Sequence, residues 1–149
     1  MPATRHETEL RSDCERLADI FTTLQRRFIL KLSLDLSRGK LSFPQYFLLG
    51  FLSHGSLLTM SEIAAKMGHT TAAATGLVDR LENLGYVTRA HGTDDRRKIR
   101  VQITRRGLDL VLQVRKDMVD NLVKMMNQLN VVEQKSWVQI YEKIIPLFQ

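Results

Sequence analysis

Cysteine is nearly absent from this sequence, with Cys14 alone among 149 residues. A single thiol closes no internal disulfide and leaves the simplest thiolate zinc pair one ligand short. The histidines, His6, His54, His69 and His91, lie apart without metal-ligand spacing, so no metal is expected. Long apolar runs are missing too. Residues 41–61 carry no charge, yet Pro44, Gln45, His54, Gly55 and four serines break that stretch well below the ~18 apolar residues of a membrane span. Near the start, Arg5, Glu7, Glu9, Arg11, Asp13, Glu15 and Arg16 leave no apolar signal-peptide core. There is no nucleophile elbow, no phosphate-cradling glycine loop and no carboxylate pair in an apolar setting. The expectation is a soluble, cytoplasmic protein that is not an enzyme and carries no cofactor.

What is present is positive charge. The chain has a formal net charge of +6 and a pI near 9.8, at 44% hydrophobic and 26% charged residues, a composition typical of globular proteins. Its 17.2 kDa suits one domain over residues 1–149. The surplus is concentrated. Residues 89–106 hold Arg89, Arg96, Arg97, Lys98, Arg100, Arg105 and Arg106 against Asp94 and Asp95 alone, which is five of the six net charges. A solvated face normally mixes its signs, so this cluster reads as the footprint of a polyanion.

Periodicity organises the rest. Leu10, Cys14, Leu17, Phe21, Leu24 and Phe28 recur every three or four residues, the stripe of a long amphipathic helix over about 6–38. Ser42 with Gln45, and Thr59 with Glu62, read as capping boxes that open short helices, with Pro44 tolerated in a first turn. Gly68 ends the second of these, and Thr70 caps a helix that stops at Gly85. Ile99, Val101 and Ile103 then alternate with polar residues, so 86–103 reads as a β-hairpin around a turn at 91–95. Thr104 caps a long helix whose Leu108, Val111, Arg115, Met118, Leu122, Met125 and Leu129 form a seam. Asn130 with Glu133 opens a last helix, striped by Trp137, Tyr141, Ile144 and Phe148.

Short helix, tight turn, helix and basic hairpin is the plan of a winged helix-turn-helix, with the helix pair over about 59–84 inside a core of 41–104. Ile63 and Met67 fall on one face of the first helix, and Ala64 is small where the two helices cross. Gly68 supplies the left-handed turn, while Ala74, Leu77, Val78 and Leu81 give the second helix its inner side. Thr71, Ala72, Thr75 and Arg80 remain facing outward, where a helix docked in a major groove presents side chains to base edges.

Residues 41–112 resemble the MarR family of multiple-antibiotic-resistance regulators. The resemblance is carried by LSFPQYFLL, LTMSEIAAKMG, TGLVDRLENLGYVTR, DDRRKIRVQIT, and Thr104 with Gly107 at the next helix start. It implies a mostly α fold with a small β-hairpin wing, flanked by dimerisation helices at 6–38 and 104–149. It further implies a homodimer on a palindromic double-stranded operator, usually a repressor relieved by a small molecule or by oxidation. The DNA-binding set expected is Thr70, Thr71, Ala72, Thr75, Arg80, Arg96, Arg97 and Lys98, with Asp95 holding a wing arginine. Many relatives carry a charged or polar reader where this chain has Thr71 and Gly76. Its helix therefore reads DNA with threonine hydroxyls and methyl groups, and the wing supplies much of the affinity. Gly76 serves either close packing or close approach to DNA.

Three further readings stay open. Phe43, Tyr46, Phe47 and Phe51 mark either an aromatic effector pocket or ordinary core. Cys14 is either a stripe member or a thiol sensor of oxidation. A winged helix also serves as a protein-interaction module, although such a role does not require clustered cations at a hairpin tip.

Overall fold

The computed structural model describes residues 5–38, 40–91 and 99–148. Elements follow in the order α1 (Arg5–Arg38), α2 (Phe43–Leu52), β1 (Leu58–Thr59), α3 (Met60–Met67), α4 (Thr71–Asn83), β2 (Val87–His91), β3 (Ile99–Ile103), α5 (Arg105–Met126) and α6 (Val131–Ile144), closed by a 3-10 turn at Ile145–Phe148. Two compact units divide the chain, Met1–Leu108 and Asp109–Gln149, with the boundary inside α5.

Local chemistry sets the helix ends of the first unit. The Ser42 N–H and hydroxyl both donate to Gln45 Oε1, at 2.8 and 3.1 Å, and Gln45 is buried. Thr59 accepts from the Glu62 N–H at 3.3 Å, while Glu62 Oε2 accepts from the Thr59 N–H at 2.7 Å. That reciprocal pair satisfies two donors that a helix start leaves over. Thr70 caps α4 by accepting from the Ala73 N–H at 3.2 Å. Gly68 takes φ +63° at the end of α3, a left-handed conformation that costs a glycine little.

Leu48, Leu49 and Leu52 of α2, Ile63 of α3, and Ala74, Val78 and Leu81 of α4 are buried together with Val87 and Val101 of the sheet. Truncating any of these leucines to alanine would cost about 2–5 kcal/mol. The sheet is larger than a hairpin. Strands β2 and β3 pair antiparallel from Val87↔Ile103 to His91↔Ile99, and β1 adds to the outer edge of β3 through Leu58↔Val101 and Thr59↔Arg100. The sequence reading of two strands missed the third.

Gly107 marks a close approach where α5 begins. A Cβ there would stand 2.2 Å from the Tyr86 carbonyl oxygen and 2.8 Å from Ile103 Cγ1. Thr104 fastens the same corner, its hydroxyl donating to the Gly85 carbonyl at 2.7 Å and accepting from the Gly107 N–H at 3.1 Å.

In the second unit, Asn130 accepts from the Val132 and Glu133 N–H groups at 2.9 and 3.1 Å, and Glu133 returns to the Asn130 N–H. Gln134 Nε2 donates to the carbonyls of Met126 and Leu129, which ties off the end of α5. Trp137 and Tyr141 lie one turn apart, with ring centroids at 6.5 Å. No helix among the described residues is long and apolar enough to cross a membrane.

Candidate nucleic-acid interface

The start of α4 presents small, polar side chains outward. Thr70, Thr71, Ala72, Gly76 and Arg80 are exposed and Thr75 is half-buried, while Ala74, Val78 and Leu81 turn inward. Thr75 donates its hydroxyl proton to the Thr71 carbonyl at 2.8 Å. Among the described residues, and apart from the backbone of α4 itself, nothing lies within 4 Å of the position a Cβ would take on Gly76. Packing among the described residues therefore gives no reason for that glycine.

The wing-side cations do not all face outward, contrary to the count from sequence. Arg89 on β2 donates from Nη2 to Asp79 Oδ1 and from Nη1 to Glu82 Oε2, both carboxylates on α4. Hydrogen bonding to Asp79, reinforced by Glu82 and opposed by burial, raises its pKa above the ordinary arginine value. The Arg106 guanidinium stacks 5.0 Å from the centroid of the Tyr86 ring. Arg89 and Arg106 are thus engaged within the protein. On β3, Arg100 adds to the field around Glu62. That carboxyl sits below the usual value of 4.5 chiefly because of its hydrogen bonds to Thr59, with Arg100 and Lys66 contributing less. Asp95, Arg96, Arg97 and Lys98 lie outside the described residues.

Phe43, Phe47 and Phe51 repeat at four-residue spacing along α2 and line a depression of about 300 Å³ with Lys66, Met67 and His69. Lys66 Nζ stands 5.7 Å from the Phe51 ring centroid. Tyr46 does not line this depression and instead tilts against Phe47 at 6.3 Å. Cys14 is exposed on α1. Among the described residues no group of three His, Cys, Asp or Glu side chains is placed to hold a metal ion.

Periodicity could not have found the Arg89 clamp, because its partners stand seven and ten residues earlier on a different element. The only trace in the sequence is that Asp79 and Glu82 are one helical turn apart.

A helix-turn-helix packed on a small antiparallel sheet, with long helices before and after it in the chain, defines a winged helix-turn-helix protein. Residues 40–98 match the family model described as "MarR family". An uncharacterised HTH-type transcriptional regulator of Bacillus subtilis, YfiV, is 45% identical over 64 residues, which are 43% of this chain and 40% of that protein. The B. subtilis HTH-type transcriptional repressor YetL is 38% identical over 72 residues, 48% of this chain and 41% of its own length. The chain thus spans about two fifths of the length of these curated relatives. Among solved structures, the Staphylococcus aureus regulator MepR aligns with a TM-score of 0.74 at 19% identity, covering 89% of this chain and 98% of its own. MepR in its complex with DNA aligns with a TM-score of 0.58 at 23% identity, covering 74% of this chain and 98% of its own. Over residues 40–98 the chain is thus similar to the MarR family, and its fold is that of the winged helix-turn-helix structures it aligns with.

Proposed function

We propose that this chain is a DNA-binding transcriptional regulator, a homodimeric repressor of a palindromic operator. The observation that carries this reading is the outward face of Thr71, Ala72, Thr75 and Arg80 at the exposed start of α4, beside the strands that lead to a basic segment. In this reading α4 enters a major groove and Thr70 meets a phosphate at the helix start. Arg96, Arg97 and Lys98 reach the minor groove or its phosphates, steadied by Asp95. MepR's solved complex with DNA and the repressor description of YetL lend support at the level of family.

Apolar exposure supports the dimer. Leu10, Leu17, Phe21 and Phe28 on α1, Leu112 and Leu122 on α5, and Val138 and Ile140 on α6 are all exposed in the single chain. A soluble protein covers such faces, and twofold symmetry matches a palindrome. The depression beside Phe43, Phe47 and Phe51, with Lys66 at its edge, fits a small aromatic acid as effector.

Mobility shift on specific and scrambled duplexes at two salt concentrations tests the proposal, with binding that weakens steeply as salt rises as the expected result. Failure to bind any duplex at low salt overturns it and leaves a protein-interaction module. Release by aromatic acids assigns the effector. Release by peroxide that Cys14→Ser abolishes assigns oxidation sensing instead.

A further inference from the structure

We infer that Thr75 is a specificity-determining residue that selects an A·T base pair, accepting from adenine N6 while its methyl group and that of Ala72 pack on the thymine C5-methyl. The inference rests on the DNA-binding reading above and names the chemistry that α4 recognises.

The polarity of the hydroxyl decides the matter. Thr75 Oγ1 donates to the Thr71 carbonyl at 2.8 Å, so its proton is held inside the helix and its lone pairs face outward. Thr70 is arranged the other way, because its oxygen accepts from the Ala73 N–H and its proton is left for an acceptor such as a phosphate oxygen. In the major groove the donors are adenine N6 and cytosine N4, whereas guanine offers only acceptors. An acceptor-only group therefore reads adenine or cytosine.

The neighbours choose between these two. Thr71, Ala72, Thr75 and Gly76 place methyl groups, one more hydroxyl and bare backbone at the start of α4, with no guanidinium, ammonium or side-chain amide among them. Only the thymine of an A·T pair offers a methyl group to meet that surface. Open space at Gly76 lets the backbone come closer to the bases than a side chain would allow. Arg80, the first cation on α4, follows Thr75 by more than one turn.

The test is selection of a randomised duplex pool by the full-length protein, followed by affinity measurements on the selected duplexes. Selected half-sites should carry A·T pairs where α4 docks. Replacing each docked thymine by uracil, which removes only the methyl group, should weaken binding about fourfold. Thr75→Val keeps the methyl shape and removes the acceptor. It should reduce discrimination for adenine about fivefold, with little change on scrambled duplex. A selected guanine beneath Thr75, or affinity indifferent to uracil, overturns the inference while the DNA-binding reading stands. Failure to retain any duplex overturns both.

Discussion

Arg89 on β2 grips Asp79 on α4 at 2.5 Å while its second arm and its backbone N–H hold Glu82 one turn further along. The outward helix and the wing strand are therefore joined by a forked, charge-assisted bond as well as by apolar packing. The Arg89 side chain is 25% exposed, so water screens this network less than it does a surface pair. Replacing Arg89 by Ala should cost about 1–2 kcal/mol, read as a lower urea midpoint at unchanged slope. Arg89→Lys should recover less than half of that loss, because one ammonium cannot reproduce the fork. Full recovery by Lys would show that charge alone matters.

Glu62 gives the fold an acid-sensitive contact. Its folded-state pKa lies below the ordinary 4.5, so its contribution is present above that value and is lost as pH falls through the lower one. Glu62→Gln should therefore be less stable than the parent at neutral pH, with the gap closing below pH 4.5. Thermal unfolding of both proteins from about pH 7 down to about pH 2.5 checks this. A gap that persists unchanged at the acid end would contradict it.

Two glycines should respond in opposite directions. Gly107→Ala drives a methyl into the Tyr86 carbonyl and should destabilise by about 3 kcal/mol. Gly76→Ala meets nothing and should stabilise by up to about 1 kcal/mol, raising the melting temperature by a few degrees. The same Gly76 change should weaken duplex binding if α4 approaches the bases as proposed. A Gly76→Ala protein that is less stable than the parent would point to a packing role that the structure does not contain.

Leu122 on α5 is 46% exposed and Leu17 on α1 is 59% exposed, although each lies on an apolar stripe. Introducing a lysine at either position should leave the monomer's fold intact and shift sedimentation at micromolar concentration from dimer toward monomer. A parent protein that already sediments as a monomer would remove the proposed twofold partner.

The legible parts of this fold were those with local causes. Capping at Thr59, Thr70 and Asn130 depends on residues two or three positions away, and a turn glycine such as Gly68 on its own backbone. Strand β1 was not legible. It is two residues long, and it exists because Leu58 meets Val101, a pairing with no echo in nearby sequence. Arg89 was read as part of an outward charge cluster for the same reason, since composition counts charges and is blind to partners across elements. The stripe from Leu10 to Phe28 showed which face of α1 is apolar, but within the single chain that face remains exposed.

Pairing of Leu58 with Val101 ties together the two ends of the segment that contains α3 and α4. The helix pair is therefore an insert within a closed frame, and the residues that close the frame lie outside α4. Inside the insert, Ala74, Val78 and Leu81 anchor α4, whereas Thr71, Ala72, Thr75 and Gly76 contribute no buried side chain. Anchoring and outward presentation thus fall on separate positions of one helix. The outer set could be rewritten with little loss of stability, so this scaffold would tolerate exchange of its recognition sequence, by drift or by design, at low thermodynamic risk.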